Sequence, residues 1–281
     1  MRKTFAQVLR EGNVDIRLEY DKLYSILHSK SFFSKKKSLY DIFGLNFTHF
    51  FFRGTCLSIE EFDRKYGFNF VEDPDDFDID YLVSFCEYLQ NMLLGLQAVI
   101  FSGEYGGFSF IEAKIPFILE QIHLVIESIG YTSSSEDGKT IFIEKSPAAI
   151  AVSESELIPT ELSYRVLEYD HYALKGNIEK KKQIILQLAR ILEGKSNELQ
   201  KNSPSLKDAL FFLFNNLNLR HNNVDPSNKG KYNRVVAELD RAQLEHWYDE
   251  TYQMCLLAFL ELEHADRKQS FYELKKQIVE G

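Results

Sequence analysis

Between residues 159 and 262, apolar residues recur every three or four positions in four successive runs, divided by two short polar breaks and one longer polar loop. Pro159 suits a first helical turn and leads Leu162, Val166 and Leu167. Gly176 and Asn177 break and cap, and Ile184, Ile185, Leu188, Ile191 and Leu192 stripe a helix predicted over 178–199. Ser203-Pro204-Ser205 opens a third, with Asp208 as capping partner and Leu206, Leu210, Leu213, Phe214 and Leu217 as the buried face. The fourth begins after Asp240 and carries Leu244, Trp247, Thr251, Cys255, Ala258, Phe259 and Leu262. Long amphipathic stripes joined by short connections are buried most simply against one another. An antiparallel bundle of four to five helices is therefore expected here.

The first half reads differently. Phe32, Phe33, Phe43, Phe47, Phe50, Phe51 and Phe52 crowd into one stretch, where the spacing of Phe43, Phe47, Phe50 and Phe51 predicts a helical face stopped at Gly54. They supply core, or an aromatic patch for a protein partner. An acidic run ending in Asp76-Phe77-Asp78-Ile79-Asp80 feeds the helical stripe Tyr81, Leu82, Phe85, Leu89, Met92 and Leu93, which suits the positive end of a helix dipole. With Ser84 and Glu87 those aspartates echo a calcium loop, but Tyr81 stands where the loop needs glycine. A glycine-broken turn follows at 103–107, and then Pro116 opens a helix bearing Ile118, Ile122, Val125, Ile126 and Ile129, ended by Gly130. Residues 133–138 read as a polar turn, with short strands at 140–144 and 149–152. The expected fold is mainly α with a small β element. An aromatic-rich, mostly helical domain spans 1–153 and the bundle spans 154–281.

Acidic residues outnumber basic ones, 42 to 33 in 281 residues, which argues against a protein that coats polyanions without selectivity. The excess sits in the first half: residues 1–150 carry 15 basic and 22 acidic side chains, residues 151–281 carry 18 and 20. Three dispersed cysteines, no membrane-length apolar run and no apolar leader after Met1 give the expectation of a cytoplasmic protein off the membrane, with no disulfide framework. Neither a metal nor a cofactor is expected, since the histidines are scattered and no phosphate-loop or nucleophile-elbow pattern occurs. Tyr169-Asp170-His171-Tyr172 reads as a surface pair.

The densest polar signal follows the third helix. Arg220, His221, Asn222, Asn223 and Asp225 gather at one end of the bundle, and Lys229, Lys231 and Arg234 make the loop locally basic. Arginine can hold a phosphate in two hydrogen bonds, histidine can move a proton near neutral pH, and asparagine can orient a ribose or phosphate oxygen. These are the parts of metal-free RNA cleavage. The same residues also suit a structural loop, with Arg220 on the last helix carbonyls, Asn222 and Asn223 in turns, and Asp225-Pro226 closing them.

The run Leu217-Asn218-Leu219-Arg220-His221-Asn222-Asn223, set between helices within residues 156–265, resembles the motif region of HEPN-type domains of bacterial abortive-infection proteins. The resemblance implies a homodimer through the C-terminal bundle and metal-independent endoribonuclease activity in antiviral defence or as a toxin. Arg220 would anchor the scissile phosphate, His221 transfer a proton, Asn222 or Asn223 orient the RNA and Asp225 orient His221. Where the family pattern sets a histidine, four to six residues intervening, this chain has Asp225, Pro226 and Ser227. A literal match of that spacing occurs at Arg241 and His246. The other reading is a non-catalytic HEPN-like interaction or regulatory protein whose N-terminal domain binds a protein partner.

Overall fold

A computed structural model describes residues 14–30, 36–102 and 113–280. Phe32, Phe33 and the 103–107 turn lie outside the described residues. The fold is mainly helical with one two-stranded antiparallel hairpin. The chain divides into two compact units, Met1–Glu144 and Lys145–Gly281.

In the first unit, α1 (Ile16–His28), α2 (Leu39–Asn46), α3 (Ile59–Tyr66), α4 (Ile79–Phe101) and α5 (Ile115–Ser128) surround and include one central helix, α4. Asp78 caps it by accepting the Tyr81 N–H, as the acidic approach predicts. Its residues are buried on several sides, from Leu82, Phe85 and Tyr88 to Leu93, Leu96 and Val99, because α1, α2, α5 and the hairpin all pack on it. The helix predicted through Phe51 instead ends at Asn46 and passes into a single 3₁₀ turn, Phe47–His49. Phe43, Phe47 and Phe50 still reach the core, while Phe51 is exposed. Gly95 of α4 faces the Phe50 and Phe52 rings so closely that a Cβ there would lie 2.9 Å from Phe52.

The hairpin corrects two expectations. Its first strand, β1 (Tyr131–Glu136), is the segment read as a polar turn, and β2 (Lys139–Glu144) pairs with it from Tyr131↔Glu144 to Glu136↔Lys139. Asp137-Gly138 forms the turn with φ of 51° and 74°, the left-handed pair that matches strand twist. A lone hairpin is marginal, and α4 secures this one. The Asn91 side chain donates to the Thr140 carbonyl (2.7 Å) and accepts from the Thr140 N–H (2.9 Å), while Glu87 accepts from the Phe142 N–H (2.6 Å). The second predicted strand, at 149–152, is helical: Ser146 caps the Ala149 N–H and Pro147 starts α6 (Pro147–Ser153).

In the second unit follow α7 (Thr160–Glu168), α8 (Ile178–Gly194), α9 (Ser196–Asn202), α10 (Pro204–Asn216), the single turn α11 (Arg234–Ala237) and α12 (Arg241–Glu280). The helix expected to run to residue 199 breaks at Lys195. Asp208 pairs with Lys207 rather than capping Ser205. Asp240 and Gln243 form a reciprocal capping box that starts α12. Helix α12 packs on α6, α8, α9 and α10 through Tyr248, Tyr252, Cys255, Leu256, Phe259 and Leu262, while Trp247, expected inside, is half-exposed. Lys181 is buried and pairs with Glu245 (2.7 Å) and Asp249 (2.8 Å), and Tyr169 donates to the same Asp249 carboxylate (2.9 Å). Among the described residues, no helix is long and apolar enough to cross a membrane.

Candidate functional site

The loop after α10 is built around two side chains. Leu217 and Leu219 insert into the core, so the backbone turns back over the end of α10, with Asn218 in the left-handed region (φ 53°) and the Arg220 N–H on the Phe214 carbonyl. That return lays the Arg220 guanidinium against the rings of Phe214 (4.9 Å) and Phe211 (5.9 Å), where it forms an ion pair with Glu193 of α8. The guanidinium thus goes to Glu193 and not to the helix carbonyls that the structural reading assigned to it. Its Nη2 is buried without a hydrogen bond.

Asn223 is the second. It is wholly buried, accepts from the Asn218 N–H (2.9 Å), and donates to the carbonyls of Asn215 (3.2 Å) and Lys231 (2.7 Å). Its own N–H goes to the Asn218 side chain and its carbonyl accepts from Asn233. One amide thus ties both ends of the loop to α10. The other predicted site residues stand outside this knot. His221 is partly exposed and Asn222 is exposed, accepting at its carbonyl from Asn228. Asp225 does not orient His221: its carboxylate accepts from the Ser227 hydroxyl (2.7 Å) and N–H (2.9 Å), which lower its pKa. Lys229 and Lys231 are exposed, and Arg234 pairs with Glu238 one turn on.

The alternative motif is not a constellation either. Arg241 donates to the Gly176 carbonyl (2.7 Å), whereas exposed His246 lies against Trp247. Of the other pair weighed, Tyr169 and His171 are buried rather than on the surface, and His171 Nδ1 accepts from the Ala173 N–H. Among the described residues, no group of three or more His, Cys, Asp or Glu side chains is placed to hold a metal.

The first unit holds a cleft of about 470 Å³ that local motifs do not announce. Asp63 of α3 projects into it between Tyr40 of α2 and Tyr88 of α4, and both hydroxyls donate to its Oδ2, at 2.8 and 3.3 Å. Its Oδ1 is buried and has no hydrogen-bond partner. Burial raises the Asp63 pKa against the lowering effect of the two hydroxyls. Phe68 and Phe70 wall the cleft, with ring centroids 5.2 and 5.4 Å from that of Tyr88. His28 stands on the rim beside Tyr24 and Tyr40, and loss of hydration lowers its pKa.

No protein-family model, no curated protein and no solved structure matches this chain.

The two places differ in chemical readiness. In the loop, Arg220 is held by Glu193 and two rings with its Nη2 buried and unpaired, and Asn223 is bonded on all sides. In the cleft, a partly buried carboxylate lines open volume, and its unpaired oxygen is covered. Sequence reasoning missed the cleft because Tyr40, Asp63 and Tyr88 come from three helices, and the density of aromatic residues was its only advance signal.

Proposed function

We propose that this chain is a non-catalytic, HEPN-like interaction protein whose second unit is a structural and self-association module and whose first unit carries the recognition surface. The observation that carries this reading is the engagement of Arg220 and Asn223. To hold a phosphate, Arg220 must leave both Glu193 and the two phenylalanine faces. Glu193 is partly exposed and is solvated once released, so what opposes such a move is chiefly the loss of the two ring faces. Asn223 has no exposed surface with which to touch RNA, and His221 has neither an orienting carboxylate nor a neighbouring arginine head group free to share the work. The loop is thereby suited to rigidity rather than turnover.

Self-association is proposed through the exposed part of α12. Leu257, Phe271, Leu274 and Ile278 fall on one repeat of alternating steps of three and four once His264, Arg267 and Leu260, itself packed against the unit's own core, are counted, giving a seam of period 3.5. Leu257, Phe271, Leu274 and Ile278 are each about half or more exposed. In a parallel pair, Glu263 of one copy falls opposite Lys268 of the other, on both sides of the seam. The test of the reading is RNA turnover. The purified full chain, incubated with labelled RNA in chelator, is expected to cleave no more than its His221→Ala variant. Cleavage lost in that variant, with thermal stability unchanged, would restore the enzyme reading.

A further inference from the structure

Asp63 has donors for one of its carboxylate oxygens and none for the other. Oδ2 receives two tyrosine hydroxyls, an arrangement in which the carboxylate acts as acceptor, while Oδ1 lies buried and unpaired. Leaving a buried acceptor unsatisfied costs about 1–3 kcal/mol, and more for a charged one, so a donor arriving from outside has free energy to recover. The cleft around it is aromatic: Tyr88, Phe68, Phe70 and Tyr40 present ring faces or edges to the open volume. Such faces favour a cation, whose charge the ring quadrupole attracts.

The surrounding charges agree. Among the described residues, Glu60, Asp63 and Arg64 are the charged groups that line the cleft, and exposed Arg64 makes no ion pair with Asp63. His28, its protonation opposed by lost hydration, contributes no fixed positive charge at neutral pH. The unit as a whole is strongly acidic, which raises the local concentration of cations.

We propose that this cleft binds an N–H-bearing organic cation, an alkylammonium or guanidinium group, that donates to Asp63 Oδ1 and lies against Tyr88, Phe68 and Phe70. The assignment rests on the reading of the first unit as the recognition surface and names what it recognises. The cation can come from a free small molecule or from an arginine side chain of a protein partner, since the head group is the same. Because Oδ1 is covered in the free chain, binding requires the groups packed around Asp63 to shift, and the two tyrosine hydroxyls on its other oxygen make that shift visible in tyrosine absorption.

Calorimetric titration of the full chain with agmatine, with acetyl-Gly-Arg-Gly-amide and with uncharged N-butylurea tests this. At least one of the two charged probes is expected to bind at one molar equivalent with a change in near-ultraviolet circular dichroism, and butylurea not to bind. Agmatine matching or exceeding the peptide indicates a small-molecule ligand, and tighter peptide binding indicates a partner side chain; either supports the site. Asp63→Asn, folded by far-ultraviolet circular dichroism, is expected to weaken binding about ten- to a hundredfold, the equivalent of one charged hydrogen bond. Should that variant fold poorly, Phe70→Leu, which keeps an apolar wall but removes the ring, is expected to weaken binding severalfold. Absence of binding by both charged probes, equal binding by butylurea, or undiminished affinity in Asp63→Asn or Phe70→Leu would overturn the assignment. The RNA test on His221 is independent of all these outcomes, so the site can fail while the non-catalytic reading stands.

Discussion

Asn223 and Asn222 are adjacent and chemically identical, yet one is buried with every amide group spoken for and the other is exposed with its side chain unused in the loop's bonding. Asn223→Ala strips partners from an N–H and two carbonyls at once and is expected to cost about 2–4 kcal/mol in denaturant unfolding, since each buried orphan costs about 1–3 kcal/mol and the loop relaxes in part. Asn222→Ala is expected to stay within about 0.5 kcal/mol of the parent. Equal effects from the two would contradict the knot. At this scale the residue types were legible in the sequence but their assignments were not. Arg220 finds Glu193, and Asn223 finds Asn215 and Lys231, through a chain reversal that Leu219 enforces by entering the core. No spacing rule along the chain records that reversal.

Elements were more readable, because helix starts are written locally. Asp78, Asn177 and Pro116 announce their helices where they occur, and Asp240 with Gln243 does the same for α12. The hairpin was half hidden since β1 is a serine-rich strand with little β-propensity of its own, held by a partner strand that α4 grips. Asn91→Ala is accordingly expected to cost about 1–3 kcal/mol and to speed amide exchange at Thr140 while leaving the α12 amides protected. In the second unit, burial pushes the Glu245 pKa up, but Lys181, the Gly176 N–H and Arg241 outweigh it and hold it below the ordinary value. Between those two values the unfolded chain binds more protons than the folded one. The stabilisation is therefore present above the ordinary glutamate range and is lost as pH falls through the lowered folded value. Lys181→Met should weaken this acid-side loss of stability and cost about 2–3 kcal/mol at neutral pH, discounted because Asp249 is partly exposed. Thermal melts across pH 3–7 read both effects.

For the molecule as a whole, the sequence indicated a mainly helical class through composition and periodicity, and it concentrated acidic charge in the first half. It could not show where chemistry is left over after folding, because that depends on which polar groups end without partners. Folding engages Arg220 and Asn223 in the loop and leaves Asp63 Oδ1 without a donor beside an open cleft. If α12 joins two copies, sedimentation should report a dimer for the parent chain and a monomer for Leu274→Glu with Ile278→Glu, both exposed positions whose charge leaves the unit's own core untouched. The central claim, that binding rather than catalysis is what this chain contributes, is tested most directly by RNA turnover in the presence of chelator. The account predicts the same background cleavage for the parent, Arg220→Lys and His221→Ala; cleavage by the parent that His221→Ala abolishes without a change in melting temperature would contradict it.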